Sequence, residues 1–146
     1  MQSASKTNGR NRLNWPETAM RLAQTIAACR SEDTYVQVGA CAVRYNKTVA
    51  LGYNGAPSGI TIDWSNRDER RKRVLHAEAN VLNYCMPDEV EFIAVTHLPC
   101  PECLKLIAQK RIKTVFYDKI PENYDTELTF MLAKEFEINL IPIEQS

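Results

Sequence analysis

Two short stretches carry residues able to do chemistry together. One is His76-Ala77-Glu78; the other is Pro99-Cys100-Pro101-Glu102-Cys103. One imidazole and two thiols suit a borderline-soft metal, and zinc is the natural occupant of His76, Cys100 and Cys103. Three protein ligands leave the fourth tetrahedral position open for water, which marks a catalytic site rather than a closed structural one. Glu78, two residues past the ligand histidine, is placed to trade protons with that water. Zinc with two thiolates and a neutral imidazole has about zero net charge, and its water still ionises towards roughly pH 7. The chemistry this implies is hydrolytic attack on an unsaturated or amide-like carbon, with an amine leaving. Cys-x-x-Cys alone is weak, being more often structural or redox. Together and in this order, the two stretches point to catalysis. The other histidine, His97, falls at a strand end and reads as a pocket or surface residue, since the ligand trio is already complete.

The trio needs elements to hold it. A helix from Asn14 to Arg30 is predicted, with Asn14 and Glu17 as a capping box and Pro16 in the first turn. Ala19, Leu22, Ala23, Ile26 and Ala27 form its apolar stripe. After a polar connection over 31–37, Val38–Tyr45 and Thr48–Tyr53 read as antiparallel strands about an Asn46-Lys47 turn. The loop Asn54-Gly55-Ala56-Pro57-Ser58-Gly59 cannot continue a strand; it reads as an ordinary turn or as backbone that approaches a ligand closely. Residues 67–73 hold five basic side chains in seven. They read as a solvated helix face, with phosphate contact as the sharper alternative. Further on, helices are expected over Ala77–Cys85, Pro101–Lys110 and Tyr124–Glu135, and strands over Phe92–Thr96, Thr114–Tyr117 and Ile138–Ile143. This alternation implies βαβ crossovers and parallel pairing after an antiparallel hairpin. The sum is an α/β fold, a three-layer α/β/α domain with a mixed five-stranded sheet. His76 and Cys100 then sit at helix starts, where free N–H groups and partial positive charge favour thiolate. Cys100 and Cys103, three apart, share one face of a first turn.

Composition bounds the rest. The 146 residues are 45% apolar and 25% charged, with 18 Lys+Arg against 18 Asp+Glu. That balance argues against binding long nucleic acid. No apolar run approaches the ~18 residues of a membrane span. Residues 1–13 are polar, lack a signal-peptide core and read as a flexible N-terminal tail before a single domain over 14–146. Five cysteines and no signal argue against a disulfide scaffold and for a reducing, cytoplasmic setting. Cys29, Cys41 and Cys85 read as core residues.

The pattern His-x-Glu followed by Pro-Cys-x-x-Cys is that of zinc-dependent nucleobase deaminases. With Ser31-Glu32-Asp33, Gln37-Val38-Gly39-Ala40 and Gly52-Tyr53-Asn54-Gly55-Ala56-Pro57-Ser58-Gly59, the chain resembles the deoxycytidylate (dCMP) deaminases of the cytidine deaminase superfamily. The resemblance spans about Asn14 to Ile143. It implies hydrolysis of dCMP to dUMP and ammonia by a zinc-activated water, with Glu78 as proton shuttle and His76, Cys100 and Cys103 as ligands. It implies that Asn54 binds the deoxyribose, that the Ala77 backbone meets the base edge, and that Ser31 and Tyr117 contribute to the pocket wall or phosphate end. It also implies a homohexamer regulated by dCTP as activator and dTTP as inhibitor, with Mg²⁺, near Gly55 and Gly59. Where the family often reads Ser-Lys-Asp-Pro, this chain has Ser31-Glu32-Asp33-Thr34. Residues 54–75 hold no Cys or His, so one zinc per chain is expected. Two other functions fit the trio: a superfamily deaminase acting on tRNA adenosine or a free base, and a non-catalytic zinc or nucleotide-binding module.

Overall fold

A computed structural model describes residues 4–7, 10–45, 47–122 and 125–143. The chain runs β1 (Ala4–Thr7), β2 (Arg10–Leu13), α1 (Trp15–Arg30), β3 (Gly39–Arg44), β4 (Lys47–Tyr53), α2 (Arg67–Arg73), α3 (Ala77–Leu82), β5 (Phe92–His97), α4 (Pro101–Gln109), β6 (Thr114–Lys119), α5 (Thr126–Glu135) and β7 (Asn139–Pro142). Asn46 of the expected turn and Tyr124, the expected start of the last helix, lie outside the described residues.

The main sheet has the order β4-β3-β5-β6-β7. β3 is antiparallel to β4 and β5, while β5-β6 and β6-β7 are parallel. Alternation along the strands builds the three expected layers, because successive side chains point to opposite faces. Cys41, Val43, Phe92, Ala94 and Phe116 face Ala19, Met20 and Ala23 of α1. Ala40, Ala42, Ile93, Val95 and Val115 face Val81 of α3, Leu104 and Ile107 of α4, and Ala133 of α5. Ile93, Val95, Leu104, Ile107 and Val115 are fully buried, so each contributes about 1.5–3 kcal/mol of apolar transfer.

Asn14 caps α1, its Oδ1 accepting from Glu17 N at 3.0 Å. The box is only half formed: the buried Glu17 carboxyl leaves Oε1 without a partner. Residues 4–7 and 10–13, read from sequence as tail, pair instead as an antiparallel hairpin, Ala4 opposite Leu13 and Thr7 opposite Arg10. Their polarity concealed this, since backbone pairing needs no apolar face. Cys41 and Cys85 are buried as expected, and burial pushes the Cys41 thiol up to about 12. Cys29 is exposed, contrary to the core assignment; it lies in the last turn of α1, past the buried Ala27.

Gly39 opens β3 where α1 lies closest. A Cβ there would stand 1.9 Å from the Ala23 carbonyl oxygen and 3.0 Å from the Ala27 Cβ. Substitution must push the helix off the sheet. Gly39→Ala is expected to cost about 3 kcal/mol or more. In thermal unfolding this should appear as a fall in Tm of roughly 10 °C; a Tm equal to the parent's would show that the helix can shift freely.

Candidate active site

Three loops and helix starts converge at one end of the sheet. His76 is the N-cap of α3 and Cys100 the N-cap of α4. Pro101 at the first turn of α4 fixes the entry angle where no intrahelical N–H bond is lost. The backbone N–H of Cys103 points at the Cys100 sulfur, 3.5 Å away. His76 makes no side-chain cap bond; its ring turns to the thiols instead. Nδ1 lies 3.3 Å from Cys103 Sγ and 3.6 Å from Cys100 Sγ. All three ligand atoms fall within 4.8 Å of one another, and this is the metal-capable group found among the described residues.

These separations test the fit of zinc. With Zn–S near 2.3 Å and Zn–N near 2.0 Å, tetrahedral geometry puts sulfur and nitrogen about 3.5 Å apart. The two N···S distances bracket that value. The thiols are unequal. A hydrogen bond from Cys103, followed by those of His76 and the Cys103 backbone, brings Cys100 down to about 4. The same hydrogen bond between the two sulfurs, together with burial, pushes Cys103 up. Cys100 is therefore the more acidic thiol of the pair, and both would bind a metal as thiolates. The Cys100 sulfur also holds His76 above the usual imidazole range.

Glu78, in the first turn of α3, is 4% exposed. Burial raises its carboxyl to about 7, outweighing the opposing pull of His76. A carboxyl that exchanges its proton near neutrality suits general acid–base work. Ala77 is fully buried beside it. Gly52 of β4 lets α3 approach this closely: a Cβ at 52 would stand 2.7 Å from the Ala77 carbonyl oxygen and 2.6 Å from Val81 N.

A cavity of about 720 Å³ opens over the site. His76, Ala77, Glu78, Cys100 and Asn54 are among the residues that line it. The Asn54 amide is braced: Oδ1 accepts from Val38 N at 3.0 Å and from the Ser31 hydroxyl, and Nδ2 donates to Val36 O at 2.8 Å. One Nδ2–H remains for a ligand. Ser31 is thus a brace behind Asn54, not cavity lining. Tyr117 is likewise off the cavity; buried in β6, it packs edge-on against Phe130 at 6.5 Å. The resemblance implied the pocket wall or phosphate end for both, and neither lines the cavity.

Gly55 and Gly59 also lie outside the cavity lining. Gly55 pairs with Leu75, N to O at 3.1 Å and O to N at 2.7 Å, which ties the glycine-rich loop to the residue before His76. The Glu32 carboxylate lies against Gly55 and accepts from Ala56 N at 3.0 Å. Gly59, at φ +80°, turns the chain where Ile60 N meets Pro57 O.

Residues not singled out as site residues complete the cavity: Asp33, Tyr35, Arg67, Arg70, Arg71, His97, Lys119 and Glu122. The basic run is helical as expected, yet three of its arginines face the cavity. Arg70 anchors it, stacking 4.1 Å over the Tyr35 ring and donating to Trp64 O at 3.0 Å. Lys119 could have been found from the rule that α/β ligands gather at strand C-termini.

A tetrahedral His-Cys-Cys set with a buried carboxyl beside it, on a mixed sheet flanked by helices, defines a zinc-dependent hydrolase of the deaminase type. The chain belongs to the family of the cytidine and deoxycytidylate deaminase zinc-binding region, whose model matches residues 13–119. It is 38% identical over 135 residues to the deoxycytidylate deaminase of Mus musculus, covering 84% of this chain and 75% of that one. The Homo sapiens deoxycytidylate deaminase is 40% identical over 116 residues, covering 72% and 65%. Among solved structures, the dCMP deaminase of cyanophage S-TIM5 in complex with dCMP and dUMP superposes with a TM-score of 0.75 at 27% identity, covering 87% of this chain and 95% of that one.

Proposed function

We propose that this protein hydrolyses dCMP to dUMP and ammonia. The observation that carries the reading is that one cavity joins two chemistries. His76, Cys100 and the buried Glu78 line it, and so do the cations Arg67, Arg70, Arg71 and Lys119. A cytosine suits the first group and a 5′-phosphate the second. The relatives named deoxycytidylate deaminase support this choice, as does the cyanophage enzyme seen with dCMP and dUMP.

Zinc held by His76, Cys100 and Cys103 would supply an acidified water, one zinc per chain. Glu78 takes one proton from the attacking water and delivers it to N3 of the base, then takes the proton left on the new C4 hydroxyl and gives it to the departing amine. The water oxygen bonds to C4 and the C4–N4 bond breaks, so water and dCMP leave as dUMP and ammonia. The free Nδ2–H of Asn54 meets the deoxyribose, and the backbone at Ala77 meets the base edge.

Arg67 and Arg71 hold the phosphate, while Arg70 is committed to Tyr35 and Trp64. Replacing Arg67 and Arg71 together with alanine is expected to raise KM for dCMP about 10- to 100-fold with kcat little changed. Steady-state kinetics check this; a fall confined to kcat would remove the phosphate role. The broader test is ammonia release by zinc-loaded protein from dCMP, deoxycytidine, cytosine and adenosine-containing tRNA in parallel. Turnover of dCMP in preference to the others is expected, and preference for tRNA would transfer the zinc chemistry to a different substrate.

Regulation belongs to the same proposal: dCTP activating and dTTP inhibiting, with Mg²⁺, at the loop of Gly55 and Gly59. The Gly55–Leu75 pairing supports it, because a ligand on the loop would act directly on the segment that carries His76. The opposing feature is Glu32, whose carboxylate an anionic effector must displace from Ala56 N. A homohexamer in the cytoplasm completes the reading. Among the described residues no helix is long and apolar enough to cross a membrane.

A further inference from the structure

We propose that His97, held as its neutral Nε2–H tautomer by Thr96, is a specificity-determining donor that binds the substrate phosphate beside Lys119. The proposal rests on the reading of the cavity as a dCMP site.

His97 and Lys119 end β5 and β6 and are register partners in the parallel pair. Both line the cavity, at the strand C-termini where α/β folds gather ligands. The base must lie against Glu78, so the phosphate is the part of the nucleotide left for the cations that line the cavity.

The tautomer follows from counting protons. Gly39 N–H can only donate, and it donates to Thr96 Oγ1 at 3.1 Å. Thr96 Oγ1 lies 2.8 Å from His97 Nδ1, and Thr96 is 5% exposed. The hydroxyl has one proton of its own, and Nδ1 is the acceptor found for it among the described residues. A buried O–H left unpaired would be costly. The hydroxyl therefore donates to Nδ1, which carries no proton, and the ring's hydrogen sits on Nε2. Burial and the Lys119 charge hold His97 below the usual imidazole range, against the weaker opposing pull of Asp118. Both effects favour the uncharged ring, whose Nε2–H is then a donor on the strand next to Lys119. The chain Gly39–Thr96–His97 links the start of β3 to the cavity, which makes Thr96 a positioning residue acting through His97.

The test uses the zinc-loaded protein and four variants: His97→Phe, His97→Gln, Thr96→Val and Thr96→Ser. Zinc content and Tm first establish that each is folded. His97→Phe keeps an aromatic ring and removes the donor. It should raise KM for dCMP and the inhibition constant of dUMP about tenfold, with kcat changed less than about threefold. His97→Gln, which places an amide N–H near the lost Nε2–H, should recover most of both. Thr96→Val should shift both constants in the same direction, and Thr96→Ser should restore them. The chain has two histidines, so ring ¹⁵N spectra resolve His97 by its absence from His97→Phe; the parent should show Nε2 protonated and Nδ1 bare. Parent KM and dUMP inhibition in His97→Phe, or a proton on Nδ1 in the parent, would overturn the donor while leaving dCMP turnover intact. A zinc-loaded parent that does not turn over dCMP would overturn the dCMP reading and this inference together.

Discussion

Glu78→Gln should lower turnover by about 10³-fold or more while zinc stays bound, since general acid–base transfer contributes on the order of 10²–10⁴ and one carboxyl serves several transfers here. Glutamine preserves volume and can still hydrogen-bond, but it cannot take up a proton and return it. The same substitution also has a signature in stability, set by burial of the carboxyl. Burial raises the Glu78 carboxyl from 4.5 to about 7. In the metal-free protein its charged form is therefore disfavoured by folding. The sign follows from linkage: the parent is unhampered below the unfolded value, loses stability as pH rises, and has lost it fully above about 7. The loss amounts to about 3 kcal/mol. Metal-free Glu78→Gln should therefore match the parent in Tm near pH 4 and exceed it at pH 8. Parent-like activity in the zinc-loaded variant would refute the proton shuttle outright.

Cys103→Ser should act in the opposite order, removing zinc first and activity with it. Cys103 is 3% exposed, and its sulfur stands 3.3 Å from His76 Nδ1. A serine hydroxyl is shorter, harder and protonated near neutrality, so it replaces the thiolate poorly. Metal affinity should fall by more than about 100-fold, beyond the effect of losing an outer-shell partner. Competition with a chromogenic chelator measures this directly. The pair of variants separates two roles that activity alone confounds: Glu78→Gln keeps zinc without turnover, and Cys103→Ser loses both. Full zinc occupancy in Cys103→Ser under chelator would mean that another residue completes the site.

How much of this was legible beforehand depended on whether a feature was local. The α1 cap is local, since Asn14 and Glu17 are one turn apart, and the helix begins where they place it. The short apolar runs of β3 and β5 are local too, and strands form where they lie. The ligand trio was legible because cysteines three apart on a first turn have little freedom. What the sequence concealed was direction across space. The arginines of α2 read as a solvated face because periodicity cannot say what a polar helix overlooks. Ser31 and Tyr117 were expected at the pocket wall or phosphate end, whereas one braces Asn54 and the other packs on Phe130. His97 was placed at a strand end near the ligand loop, yet its role needs the β5–β6 register that sets it beside Lys119. Glu32 differs from the family pattern, and only the fold brings its carboxylate onto the Gly55–Ala56 backbone.

The central claim is that water attacks C4 of dCMP at this site and ammonia departs. Incubating the zinc-loaded protein with dCMP in heavy-oxygen water, and following ammonia and the product by mass spectrometry, tests it most directly. The account predicts equal amounts of ammonia and dUMP, with one heavy oxygen on each base, and neither product from Glu78→Gln on the same timescale. Zinc-loaded protein that leaves dCMP unchanged, or that forms dUMP without solvent oxygen, would contradict it.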